Sequence, residues 1–215
     1  MQKHLLRFLR ILTIVACASL ALAQEQNPVP LPPPQTTGGK PLMQVLKDRR
    51  STREFSSQKL SPQTLSNLLW AAFGINRPDG KRTAPSAVNW QEIDIYVATQ
   101  EGLFIYDAKA NTLKPVVQQD VRGATGQQAF VKDAAVDLVY VADLGKTGST
   151  GGEEQIMYTG ADTGFIAQNV YLFCASEGLA AVVRGSIDRE AFAKTAKLRP
   201  NQKIILAQTV GYAKK

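Results

Sequence analysis

The apolar positions change period repeatedly along the chain, and each change marks an element. Leu42, Val45 and Leu46 share one face of a short helix predicted over 41–49. Residues 51–55 read as extended. Ser61 followed by Pro62 is a helix start, with serine as N-cap and proline in the first turn. Leu65, Leu68, Leu69 and Ala72 give that helix its apolar stripe, and Gly74 ends it. A polar loop with Gly and Pro then covers 75–84. Ile93, Ile95 and Val97 alternate with Asp94, Tyr96 and Ala98, the period of a strand. Further strands are predicted over 104–106 and 113–116, with turns marked by Gly102 and Asn111. The weak pattern over 117–132 favours a helix. The β-branched and aromatic run 136–141, broken only by Asp137, is a central, buried strand. Residues 154–177 form the longest helix, apolar on nearly all sides, so its burial lies at the domain centre or between subunits. A strand over 179–183, a helix over 188–196 and a strand over 204–210 complete the series. These elements describe an α+β fold: a mixed, mainly antiparallel sheet flanked by helices, with a long buried central helix at an expected dimer interface.

Three organisational units follow. Residues 1–23 read as a secretory signal peptide: Lys3, Arg7 and Arg10 form a basic start, 11–22 is largely apolar, and Ala21-Leu22-Ala23 is a cleavage site after Ala23. An uncleaved anchor and lipidation at Cys17 are the alternatives. The apolar run is short for a membrane span and continues past Cys17, which disfavours both. The expected location is therefore the periplasm or the exterior, with no transmembrane anchor after cleavage. Residues 24–39 hold Pro28, Pro30, Pro32, Pro33 and Pro34 before Gly38-Gly39, an extended or disordered linker. Residues 40–215 form the folded domain.

Composition then removes whole classes of chemistry. The only histidine, His4, lies in the signal. The mature chain therefore cannot run a Ser-His-Asp or Cys-His mechanism, nor build a histidine-bearing zinc site. No metal site is expected. Cys174 is the one cysteine left after cleavage, so no intrachain disulfide forms, and its apolar surroundings mark a buried small hydrophobe. Losing the three basic residues of the signal takes the formal charge from +7 to +4, too little to imply nucleic acid. Gly145-Lys146-Thr147 lacks the upstream glycine spacing of a phosphate-binding loop. Glu153 and Glu154 are adjacent, so they do not converge on a substrate. An enzyme of this composition draws its chemistry from a cofactor.

Two segments carry candidate chemistry. Arg49, Arg50, Ser51 and Arg53 lie within five residues. Guanidinium forks and a hydroxyl suit phosphate oxygens. Arg82-Thr83-Ala84-Pro85-Ser86-Ala87, running on to Asn89 and Gln91, is small and polar, suited to lie beside a planar ligand. Asn89 and Gln91 also suit simple loop caps, and Arg184 suits a surface ion pair.

Taken in order, these segments resemble the nitroreductase family. Arg49-Arg50-Ser51-Thr52-Arg53-Glu54-Phe55 is similar to its N-terminal flavin-phosphate motif, and Leu68-Leu69-Trp70-Ala71-Ala72-Phe73-Gly74 to its next element. Arg82–Ala87 and Glu101-Gly102-Leu103-Phe104-Ile105-Tyr106-Asp107 resemble the branch that includes azoline-forming dehydrogenases. Asp162-Thr163-Gly164 through Glu177-Gly178-Leu179 resembles the central helix and following strand, and Val210-Gly211-Tyr212 the terminal signature. The likeness spans residues 41–213.

The resemblance implies an FMN-dependent oxidoreductase, homodimeric, passing hydride through flavin N5 from NAD(P)H to a nitro, quinone or similar acceptor. It places the FMN phosphate and ribityl chain at Arg49, Arg50, Ser51 and Arg53. Pro85, Ser86 and Ala87 would lie beside the ring from the other subunit, with Asn89 and Gln91 nearby. Arg184-Gly185 would set a backbone N–H against the N5/O4 edge, and Lys214 and Lys215 would supply a basic C-terminal contact. No side chain is implied as catalytic. Val88-Asn89-Trp90-Gln91 departs from the dehydrogenase branch, and no lysine–tyrosine pair of azoline oxidation has a secure match. An azoline-type peptide dehydrogenase, an exported flavin-binding protein without turnover, and an anion-binding domain without flavin remain the competing readings.

Overall fold

The computed structural model describes residues 27–148 and 152–214. The signal segment, His4, Cys17 and Lys215 lie outside the described residues. Seven strands form one sheet: β1 (Val29–Pro30), β2 (Ile93–Thr99), β3 (Gly102–Asp107), β4 (Thr112–Val117), β5 (Val136–Asp143), β6 (Ala180–Arg184) and β7 (Gln202–Gly211). Their order is β1-β4-β3-β2-β5-β7-β6. Every pairing among them is antiparallel, so the sheet is antiparallel throughout rather than mixed. Four helices accompany the sheet: α1 (Leu42–Asp48), α2 (Pro62–Phe73), α3 (Gly152–Glu177) and α4 (Arg189–Thr195).

β5 is buried along its whole length between β2 and β7, as its mostly apolar sequence favours, and its two acids, Asp137 and Asp143, are paired with Arg184 and Arg199. Its pleat still sorts side chains by face. Leu138, Tyr140 and Ala142 join the core under α2 and α3, and Val139 and Val141 join the opposite core with Phe192 of α4. α2 begins where its sequence predicts: the Ser61 hydroxyl accepts a hydrogen bond from the Thr64 N–H at 3.0 Å. Leu68, Leu69, Ala72 and Phe73 are its buried face. The helix ends at Gly74, where the backbone turns extended and a Cβ would stand 2.4 Å from the Trp70 ring, whose indole N–H donates to the Ile75 carbonyl.

Two expectations change. Residues 117–132 are not one helix but two single 3₁₀ turns, Arg122–Thr125 and Ala129–Lys132. Gly126 separates them in extended conformation, and a Cβ there would collide with the Arg184 guanidinium. The backbone must stay open for that side chain to pass. The proline-rich lead, read as extended or disordered, is extended and tied down from its first described residues. Val29–Pro30 pairs with Leu113 and Thr112, and the Leu31 N–H reaches the Asn111 carbonyl at 3.0 Å. Prolines have no N–H to offer, so their carbonyls do the binding. The Pro32 carbonyl accepts from Ser66 Oγ and Asn111 Nδ2, and the Pro33 carbonyl from Gln63 Nε2. The lead so crosses α2 and delivers Lys40 to the C-terminal end of α3.

Candidate functional site

α1 carries the chain to the first basic cluster. It stops at Arg49, whose N–H still bonds the Val45 carbonyl while its own backbone turns extended. The following stretch runs beside β6, with the Thr52 N–H on the Ala181 carbonyl at 2.9 Å. Alternation along it sends Arg50 and Thr52 into a cleft of about 520 Å³ against the end of α3. Lys40, Lys47, Arg49 and Arg50 line the cleft, and Asp48 is its only carboxylate. Asp48 is occupied by Gln44 at 2.8 Å and by Lys40 at 3.7 Å. The field in the cleft is therefore positive. Its floor is apolar and small-sided, from Cys174, Ala175, Ala180 and Ala181. Burial pushes the Cys174 thiol well above its ordinary range, so it is an inert floor residue rather than a nucleophile.

Tyr171 of α3 organises this cluster, and the sequence reading passed over it. Its hydroxyl receives the Val183 N–H at 2.8 Å and shares a 2.8 Å hydrogen bond with Ser51 Oγ. Its ring lies beneath Arg49, with the guanidinium carbon 5.3 Å from the centroid. One tyrosine thus ties the basic segment to both α3 and β6. A tyrosine within the apolar stretch 170–174 is the available signal, since its hydroxyl must find partners. Ser51 itself does not line the cleft but sits behind it on Tyr171, and Arg53 is exposed and turned away. The C-terminal strand end runs alongside: the Ser56 N–H bonds the Tyr212 carbonyl, and the Lys214 N–H bonds the Glu54 carbonyl at 3.2 Å. That places Lys214 next to Arg53.

The second cluster is separate within one chain. Pro85, Ser86, Asn89 and Gln91 line another cavity that shares no residue with the cleft. Ser86 Oγ accepts from the Gln91 N–H at 2.8 Å, and the Ala87 N–H donates to Asp162 of α3 at 2.9 Å. Gln91 in turn receives Arg82 Nε at 2.7 Å. Val88, Asn89 and Gln91 all hold positive φ, at 51°, 61° and 48°. For β-branched Val88, 83% exposed, this is true backbone strain.

Beneath the loop lies a carboxyl that the sequence reading also missed. Glu92 is fully buried, with Oε2 receiving the Ser86 hydroxyl at 3.3 Å and Oε1 without a protein partner. Burial raises its carboxyl above the ordinary glutamate value, and the neighbouring Asp162 carboxylate pushes the same way.

Arg184 belongs to neither cavity. Its guanidinium is buried, on Asp137 Oδ1 at 2.8 Å, Thr209 Oγ1 at 2.8 Å and the Thr125 carbonyl at 2.8 Å. The expected surface ion pair is an interior one. Burial pushes the Asp137 carboxyl up to about 7 against the opposing pull of Arg184. Gly185, the next residue, is exposed at the end of β6. Among the described residues no group of three or more His, Cys, Asp or Glu side chains could hold a metal ion. None of their helices is long and apolar enough to cross a membrane.

The comparisons agree with this architecture. The nitroreductase family model matches residues 46–212. A Methanocaldococcus jannaschii protein that carries the nitroreductase name is 32% identical over 155 residues, 67% of this chain and 78% of that one. A solved Ralstonia eutropha structure, also under the nitroreductase name, superposes with a TM-score of 0.84 at 42% identity, over 91% of this chain and 93% of that one. An NADPH:FMN oxidoreductase from Vibrio harveyi shares the fold at TM-score 0.62 and 19% identity, over 81% of this chain and 69% of that one. The chain belongs to the nitroreductase family and is an oxidoreductase of that family.

Proposed function

We propose that the protein is an FMN-dependent oxidoreductase of the nitroreductase type, moving two electrons from NAD(P)H to a nitro, quinone or similar acceptor. The observation that carries this reading is the positive cleft behind Arg49 and Arg50, in a chain of this family. The cleft fits the group. Four cations against one occupied carboxylate suit a phosphate dianion, and the small-sided floor leaves room for the chain attached to it. FMN supplies the two-electron chemistry, which explains why a chain without a usable histidine needs no acid–base triad.

In this reading Arg49 and Arg50 hold the phosphate, and Tyr171 holds Ser51 and Arg49 in place. Lys214 acts from the rim, with Lys215 beyond, and Arg53, turned away from the cleft, does not touch the phosphate. Pro85, Ser86, Ala87, Asn89 and Gln91 face the ring of the other subunit's flavin. The separation of the two cavities within one chain supports that division. So do the exposed apolar side chains on α3, with Ile156 at 73%, Met157 at 59% and Phe165 at 47%. These suit a homodimer. At the end of β6 the backbone around Gly185, rather than the Arg184 side chain, is the part free to meet a ligand. We further read residues 1–23 as an export signal, so the enzyme works in the periplasm or outside the cell.

The test is the visible spectrum of the purified protein, followed by anaerobic NADPH. A flavin band that bleaches supports an enzyme, and a band that persists supports a flavin-binding protein without turnover. A colourless protein that takes up no added FMN overturns the reading.

A further inference from the structure

The hairpin ahead of the strained loop has more positive charge than its own contacts use. Ile75 and Arg82 pair across it, the Asn76 N–H bonds the Lys81 carbonyl, and Gly80 turns it at a φ of 78°. Arg77, Lys81 and Arg82 project from it into a cavity of about 170 Å³, whose opposite wall is Ser86, Asn89 and Gln91. No carboxylate lines that cavity. Asp79 sits on the same turn and is spent on Lys81 at 3.0 Å. Among the described residues neither Arg77 nor Arg82 has a carboxylate within ion-pair distance. The nearer acids are taken: Asp94 by Lys146 at 2.8 Å and Asp107 by Lys114 at 2.6 Å.

Arg82 is the informative member. It is half-buried, stacked 4.5 Å over the Phe73 ring, and held by neutral acceptors only: the Phe73 carbonyl at 2.9 Å and Gln91 Oε1 at 2.7 Å. Burial depresses its pKa, and the more distant Asp94 and Asp107 carboxylates, each paired with a lysine, only partly offset that. Taking an ion out of water without a partner is expensive, and it persists where something else offsets it. The wall facing it holds Asn89 and Gln91 in left-handed backbone, so the strain of this loop borders the same cavity. Rigid guanidinium forks, an ammonium and amide donors around a space too small for a whole substrate describe a seat for one oxyanion group.

We propose that Arg77, Lys81 and Arg82 form a second anion subsite, apart from the Arg49–Arg50 cleft, that takes one phosphoryl group of a small-molecule ligand. The hairpin site stands on its own geometry; its assignment to the reductive half of the reaction rests on the flavin reading above. A phosphoryl group could come from a nicotinamide dinucleotide or from free phosphate.

The experiment titrates inorganic phosphate into the FMN-saturated protein, read by calorimetry and ³¹P line width. FMN saturation fills the Arg49–Arg50 cleft, so the remaining phosphate binding reports the hairpin. We expect one such site per chain. Arg77→Ala with Lys81→Ala removes two cations and, within the hairpin, the Arg77 contacts to the Arg82 carbonyl and Asn76 and the Lys81–Asp79 pair; it should weaken phosphate binding at least about tenfold, with an unchanged circular-dichroism melting curve as the control that the hairpin still folds. Displacement of phosphate by NADPH identifies the dinucleotide as the source, and its absence identifies free phosphate; both retain the subsite. Unchanged phosphate affinity in the double variant overturns the proposal, as does loss of the site on FMN saturation alone. If the protein binds no FMN, the flavin reading fails separately. The hairpin is then tested in an Arg49→Ala/Arg50→Ala background, where the same pair of substitutions must still abolish phosphate binding.

Discussion

At the scale of single residues, three side chains show how differently a charge or hydroxyl can be used. Arg184 and Asp137 are buried together and bonded to Thr125 and Thr209. Removing one partner strands the other without water, so Arg184→Met should lower the unfolding free energy by about 3–5 kcal/mol. Urea unfolding measures it, and a loss below 1 kcal/mol would mean the pair is not buried as described. Glu92 is the opposite case, a buried acid that favours its protonated form. Its folded-state pKa lies above the unfolded one, so its contribution is fully present below the ordinary value of 4.5 and fades as pH rises through the raised value. Glu92→Gln keeps the shape and cannot ionise. Its stability relative to the parent should therefore improve as pH rises above 4.5, and a constant difference would contradict the assignment. Tyr171→Phe removes one hydroxyl that serves two partners. It should cost about 1–3 kcal/mol of stability, by leaving the Val183 N–H unmet. It should also weaken FMN severalfold while leaving riboflavin unaffected, a difference that mere loss of packing would not produce.

At the scale of elements, the chain is legible where local chemistry and tertiary demand agree. α2 carries its own start in Ser61-Pro62 and its own stop in Gly74, and both act as the sequence predicts. Ser61→Ala should destabilise by about 1 kcal/mol through the lost cap, read as a lowered thermal midpoint. β5 was readable because its β-branched and aromatic residues favour a strand buried on both faces, with Asp137 and Asp143 paired rather than solvated. The stretch 117–132 was not, because its shape answers to a distant residue: Gly126 stays open for Arg184, which arrives from 58 positions later in the sequence. The lead's two readings, extended or disordered, were left open for a related reason. Its prolines exclude ladder donors, and it is extended because its carbonyls are captured by Gln63, Ser66 and Asn111 from elsewhere in the chain. Of the candidate site, the arginines at 49 and 50 were visible as a local cluster. Lys40, Tyr171 and Glu92 were not, since each becomes part of a site only when α3 and the sheet bring separate segments together.

At the scale of the whole molecule, the proposed shared site rests on the separation of the two cavities and the exposed apolar face of α3. Ile156→Glu with Phe165→Glu should convert a dimer to a monomer in sedimentation, without unfolding it, because both side chains are exposed in the single chain. A parent protein that already sediments as a monomer would remove the shared-site arrangement. The central claim, that the basic cleft holds the flavin phosphate, is tested most directly by titration calorimetry with FMN and riboflavin on the parent and on Arg49→Ala/Arg50→Ala. Loss of two charge-assisted contacts should weaken FMN by about a hundredfold or more, with riboflavin affinity nearly unchanged. Equal FMN affinity in the two proteins would contradict the account.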